Sequence, residues 1–243
     1  MPNSRGRGAR AGTRSARDRS RFRRVASRVA RAALLLFLAY YVFALLLLVV
    51  YRFVPPPTTG LQLQRRAEAL LSGEDYTVRR SYRSLESMSR HAPRAVMAAE
   101  DGGFYEHHGF DWKELRLAGA EALTGKRVRG ASTITQQLVK NLFGCACRNP
   151  VRKVYDYALT PPAELILGKD RILELYLNVV EWGDGVYGLD AAARHHYDVN
   201  AGRLSRAQAA GLAALLPAPR SRTPGNTPRY RADILRRMNA RGW

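Results

Sequence analysis

The sequence predicts a mainly α domain standing behind a single N-terminal membrane helix. Three observations predict it. A run of 20 residues, Ala32–Tyr51, carries no charge. The segments after it set apolar residues at helical spacing. Alternating strand patterns are nearly absent, and no repeat of 20–50 residues is present.

The uncharged run comes first. At 1.5 Å per residue a 20-residue helix spans about 30 Å, the thickness of a bilayer's hydrocarbon core. A signal peptide would have a shorter apolar region and a small-residue cleavage site. Here Tyr51-Arg52-Phe53-Val54-Pro55-Pro56-Pro57 follows instead. Before the run, residues 1–31 are Arg, Ser, Gly and Ala with almost nothing to bury, which predicts a disordered basic tail. Its eleven arginines put residues 1–31 in the cytoplasm and residues 52–243 outside.

Charge narrows the partners. The chain carries +20, of which the tail, with Asp18, supplies +10, so the remainder is also basic. Such a domain is drawn to anionic lipid, to diphosphates or to nucleic acid. Nucleic acid rests on charge alone, and the outward topology counts against it. Cys145 and Cys147 are one residue apart, too tight for an ordinary disulfide and wrong for a zinc knuckle.

The helices follow in order. Pro93 suits the first turn of a helix through Ala95, Val96, Ala98 and Ala99. Ser132–Phe143 sets Ile134, Leu138 and Leu142 on one face. Asp170–Val180 and Leu189–Tyr197 are two more. Ser205 and Gln208 form a capping box for a helix that Pro217 ends. Pro161-Pro162 should kink or split whatever helix contains them.

Three constellations carry candidate chemistry. In the first, a helix of small apolar residues delivers Glu100 and Asp101, then Gly102-Gly103 breaks it before Phe104 and His107. A carboxylate on an apolar lip can have its pKa raised, which suits a general base or acid; a solvated helix end is the blander account. A metal set of Glu106, His107 and His108 matches no zinc spacing, so no metal ligand is assigned. In the second, Thr133, Gln137 and Lys140 line one face with Gln136 beside them, and Ser132 and Thr133 stand where free backbone N–H groups favour anions. An ordinary polar face would instead carry Glu–Lys pairs. The third, Arg148 to Asp156, packs Arg148, Arg152 and Lys153 with one acid. It is a phosphate clamp or a surface charge cluster.

Taken together these blocks resemble the glycosyltransferase domain of penicillin-binding proteins, glycosyltransferase family 51, and within it the stand-alone monofunctional peptidoglycan transglycosylases. Glu100, Asp101, Phe104, His107 and Gly109 match E-D-x-x-F-x-x-H-x-G. Gly130, Ser132, Thr133, Gln136, Gln137, Lys140 and Asn141 match G-x-S-T-x-x-Q-Q-x-x-K-N. Arg152 and Lys153 match R-K-x-x-E, with Asp156 where the family has Glu. Arg171–Asn178 and Gly185–Arg194 supply the fourth and fifth blocks.

The resemblance implies a lysozyme-like, two-lobed α fold and an inverting enzyme. It would polymerise lipid II into β-1,4 glycan strands on the outer face of a bacterial plasma membrane, releasing undecaprenyl pyrophosphate. It implies Glu100 as general base and Asp156 as the second carboxylate. Lys140, Arg148, Arg152 and Lys153 would neutralise the pyrophosphate. Asp101, Phe104, Ser132, Thr133, Gln136 and Gln137 would contact substrate. No cofactor is required, with Mg or Mn an option at the pyrophosphate. Expected partners are lipid II, the growing glycan, the membrane, penicillin-binding transpeptidases, and divisome or elongasome proteins. The shortened Asp156 leaves room for a weakened scaffold, and the likeness to lysozyme for a lytic enzyme.

Overall fold

The computed structural model describes residues 8–124, 132–144 and 150–243. The expectations for Gly130, Cys145, Cys147 and Arg148 lie outside them. The chain divides into two units, Met1–Ala44 and Leu45–Trp243.

Helix α1 runs Gly8–Tyr51, and its Phe22–Tyr51 stretch is long and apolar enough to cross a membrane. Leu34, Leu35 and Leu36 are exposed along it, as lipid-facing side chains would be. The backbone is helical from Gly8 on, where the sequence led us to expect a disordered tail. Alanine and arginine are both good helix formers, so nothing local stops the helix from extending.

The second unit is mainly α, as its periodicities predict. Helices α2 (Gly60–Ser72), α3 (His91–Glu100), α4 (Trp112–Leu123) and α5 (Ile134–Phe143) come first. Then follow α6 (Pro150–Leu167), α7 (Lys169–Val179), α8 (Leu189–Tyr197), α9 (Arg206–Ala213) and α10 (Pro228–Ala240). Three short strands, β1 (Arg79–Arg80), β2 (Glu181–Gly183) and β3 (Val186–Tyr187), form a sheet in the order β1-β3-β2. β3 is parallel to β1 and antiparallel to β2.

Two packing groups position the site. α3 lies against α9 and α10, with Ala92, Ala95 and Val96 buried beside Leu212, Ile234 and Met238. The small residues of α3 allow that close approach. α5 lies against α6 and α7 through Ile134, Leu138, Leu159, Ile172 and Tyr176, all fully buried. Residues 81–85 are pinned to the second group. Asn178 pairs with the Arg83 backbone through both amide atoms, and Glu174 accepts from Tyr82 and from the Leu85 N–H. Asp190 accepts from Ser81, Arg194 and the Ala201 N–H. Glu174, Asn178 and Asp190, from the fourth and fifth blocks, therefore act as scaffold.

The proline pair does not split its helix. α6 is continuous through Pro161 and Pro162. Pro161 is exposed, so water can serve a carbonyl that a proline leaves without its helical donor. The Thr160 hydroxyl adds a bond to the Asp156 carbonyl at 2.8 Å, just before the pair.

Candidate active site

Helix α3 ends at Glu100, and Asp101 caps it with its N–H bonded to the Met97 carbonyl. Two clefts meet there, of about 470 and about 540 Å³. Glu100, Ala99, Ser132 and Tyr230 line both. The larger also holds Gln136, Gln137, Lys140, Arg152, Lys153 and Asp156. Glu100 thus sits at the seam between a cleft that holds three cations and a second in which acids outnumber cations.

Electrostatics at the seam follow from burial. Glu100 opens to the clefts but is packed by protein on its other sides, which pushes its pKa up. A hydrogen bond from Gln137 Nε2 at 2.8 Å opposes that, as do the charges of Lys140, Arg222 and Arg237. Lys140 is pushed down, by burial first and by Arg152 second, against the pull of Asp156 and Glu100. Asp156 is pushed up by burial, against Arg152 and Lys140. Arg152 Nε lies 3.6 Å from Asp156 Oδ2, whereas Oδ1 is buried without a hydrogen-bond partner among the described residues. Gln136 Nε2 is in the same state. Lys153 reaches over the Tyr157 ring at 5.5 Å.

Three residues that the resemblance implies as substrate contacts are also tied into the scaffold, and two of them, Asp101 and Thr133, line the smaller cleft. Asp101 spends its carboxylate on His107 Nε2 at 2.9 Å and on the Ile134 N–H at 3.0 Å. The Thr133 hydroxyl caps α5 by accepting from the Gln136 N–H and donates to the Gly109 carbonyl at 2.7 Å. Phe104 is fully buried, with Lys169 Nζ 4.3 Å from its ring centre. The Ile134 N–H at the start of α5 is met by Asp101, and the helix opens at Thr133 rather than Ser132. A buried N–H and a buried carboxylate satisfy each other, which knits the first motif to the second.

Asp101, His107 and Asp111 bring ligand-type atoms within 4.8 Å of one another. A hydrogen bond joins His107 to Asp101, whereas Asp111 bonds to the start of α4. His107 Nδ1 accepts from the Gly109 N–H at 3.1 Å, so the proton sits on Nε2 and goes to Asp101. Asp111 Oδ1 accepts from the Glu114 N–H at 2.9 Å. No ring lone pair is left for an ion.

The sequence reading missed the wall that α10 supplies. Tyr230 OH donates to the Ala99 carbonyl at 3.3 Å and Arg237 to that of Ala98 at 3.2 Å. Arg222 lies 5.4 Å from the Tyr230 ring centre. The arginine-rich, amphipathic 228–240 segment was the available signal, but nothing local ties it to α3. Tyr176 was legible as a core residue, not as a neighbour of Gln137.

A helical domain with a half-buried carboxylate facing a row of cations has the parts of an enzyme acting on an anionic substrate. Comparison with known proteins then fixes the lineage. The Transglycosylase family model matches residues 67–240. A biosynthetic peptidoglycan transglycosylase of Pseudomonas putida (strain W619) is 46% identical over 176 residues, 72% of this chain and 75% of the relative. One of Pseudomonas fluorescens (strain Pf0-1) is 46% identical over 177 residues, 73% and 74% of the two. One of Chromohalobacter salexigens is 44% identical over 190 residues, 78% and 81% of the two. The chain belongs to the transglycosylase family.

Proposed function

We propose that Glu100 is the general base of a peptidoglycan glycosyltransferase that polymerises lipid II for cell-wall synthesis. Family membership supports the activity, and the position of Glu100 at the seam carries the assignment. The acceptor's 4-hydroxyl gives its proton to Glu100 as its oxygen bonds to the donor's anomeric carbon. The bond from that carbon to the diphosphate oxygen breaks with its electron pair, and the α linkage inverts to β. The leaving undecaprenyl pyrophosphate is dianionic or more, and Lys140, Arg152 and Lys153 provide fixed positive charge for it. Asp156 holds Arg152 in place. Ser132, Gln136 and Gln137 offer polar contacts to sugar and phosphate. A divalent ion accompanying the diphosphate would be held by Asp156 Oδ1, which has no hydrogen-bond partner among the described residues, with phosphate oxygens supplying most of its shell.

A lipid-linked substrate is supported by surface chemistry as well. Exposed Trp112 stacks on Phe110 at 5.5 Å, and Phe110 meets Tyr157, in the wall of the cationic cleft, at 5.6 Å. That strip can carry an acyl chain up to the cations. In the same reading residues 1–31 are cytoplasmic, 32–51 span the plasma membrane, and 52–243 face outward, where transpeptidases of the cell-wall machinery consume the strands. A reporter active only outside the cytoplasm, fused after Trp243, should be active.

Lipid II turnover by the purified chain tests the function. Wild type should yield polymer, and Glu100→Gln, of equal size, should yield none while keeping its circular dichroism. Cleavage of finished murein with no polymer formed would instead establish the lytic reading. Inertness toward both substrates would establish the scaffold reading.

A further inference from the structure

We infer that Tyr176 is a positioning residue for the active carboxylate, acting through Gln137. The inference rests on the reading of Glu100 as base. Tyr176, on α7, is fully buried and its hydroxyl donates to Gln137 Oε1 at 2.8 Å. Gln137, on α5, then donates from Nε2 to Glu100 Oε2 at 2.8 Å, at the end of α3. Three helices thus meet in one line of hydrogen bonds.

The line has a direction. An amide side chain is symmetric in shape but not in charge, and either end can face a neighbour. A carboxylate only accepts, so the NH2 end must face Glu100 when Glu100 is ionised. The carbonyl end then points into the core and needs a donor. Tyr176 is that donor. Burial, with Glu100, Asp101 and Tyr230 nearby, pushes its pKa well above the ordinary phenol value, so it keeps its proton. Donation into the carbonyl also polarises the amide, which strengthens its N–H toward Glu100. Without the phenol, the carbonyl is orphaned in the core. Turning the amide over then becomes competitive, and the turned amide favours a protonated Glu100.

Other charged or titratable groups face Glu100: Lys140 on α5, Arg222 before α10, Tyr230 and Arg237 on α10, and Asp101 beside it. None of them is altered by removing one hydroxyl from Tyr176. A change in the titration of Glu100 is therefore assignable to the line.

The experiment measures kcat for lipid II polymerisation against pH, from pH 5 to 9, with the full chain in detergent. Wild type, Tyr176→Phe, Gln137→Met, the double variant and Glu100→Gln are compared, each checked by thermal melting. Gln137→Met should move the acid limb up by about one pH unit, the scale of one charge-assisted hydrogen bond. Tyr176→Phe should move it the same way, by about half that. The double variant should move no further than Gln137→Met alone, because the phenol acts only through the amide. A Tyr176→Phe profile that is lower but unshifted overturns the inference, as does an additive double variant. Where a variant turns over too slowly, the carboxyl infrared band missing from Glu100→Gln is titrated instead, with the same expected order. Activity retained by Glu100→Gln would overturn the base assignment itself. Inactive Glu100→Gln with an unshifted Tyr176→Phe overturns only the part given to Tyr176.

Discussion

Lys169 Nζ donates to Glu164 Oε1 over 2.8 Å, and that oxygen also accepts from the Thr135 hydroxyl. Glu164 is therefore spent on packing α5 and α6 together, and it lines neither cleft. Asp156 is left as the one acid on α6 that faces the cations. Asp156→Ala should lower turnover of lipid II at least tenfold, because the cleft loses the carboxylate that faces Arg152 and Lys140. Asp156→Glu should keep or raise it, since one more methylene closes the 3.6 Å gap to Arg152. Glycan formed per minute, after a check of folding, decides the matter. Equal rates for Asp156→Ala and wild type would make Asp156 a bystander.

Burial of Glu100 has a consequence for stability. Its folded pKa lies above the unfolded value, so the folded state holds the proton more tightly. Between those two values stability falls as pH rises, and at neutral pH the ionised group is a burden. Glu100→Gln should therefore melt higher than wild type at pH 7. The advantage should fade as pH drops toward the unfolded value of about 4.3. Melting curves of both proteins across that range test the sign; a variant less stable at pH 7 would refute it.

Gly109 has φ +89°, and a Cβ there would lie 2.6 Å from the Thr160 Cγ2 methyl. Gly109→Ala should cost about 2–4 kcal/mol, from backbone strain and overlap together. Thr160→Ser keeps the hydroxyl and removes the methyl, so the double variant should recover part of that loss. Urea denaturation measures it, and no recovery would mean that the backbone angle alone sets the penalty.

The Asp101–His107–Asp111 cluster should behave as scaffold. Asp101→Ala removes the partner of the Ile134 N–H and should lower stability by about 1–3 kcal/mol. Chelator or millimolar Mn2+ should leave the wild-type melting temperature where it is. A rise with Mn2+ would show a real ion site.

Much of this was legible in the sequence, for identifiable reasons. The face of α5 announced itself because Ile134, Leu138 and Leu142 recur at helical spacing, which left Gln137 and Lys140 on the opposite side. Ser205 and Gln208 gave α9 its start through chemistry confined to four residues. The family pattern pointed to Glu100. What stayed hidden depends on contacts distant in sequence. Nothing near Asp101 announces that its carboxylate also binds the Ile134 N–H, 33 residues later. Nothing near Phe104 announces that the core closes over it. The proline pair looked like a break because local propensity cannot report what the solvent face tolerates.

Tyr230 and the Ala99 carbonyl are joined across 131 residues. A ribosome adds about 5–20 residues each second, so α3 waits roughly ten seconds for the helix that completes its wall. During that interval the face carrying Ala92, Ala95 and Val96 has neither α9 nor α10 to cover it. A nascent chain thus carries Glu100 before it has the wall on the other side. The cleft is closed only after translation has passed Arg237.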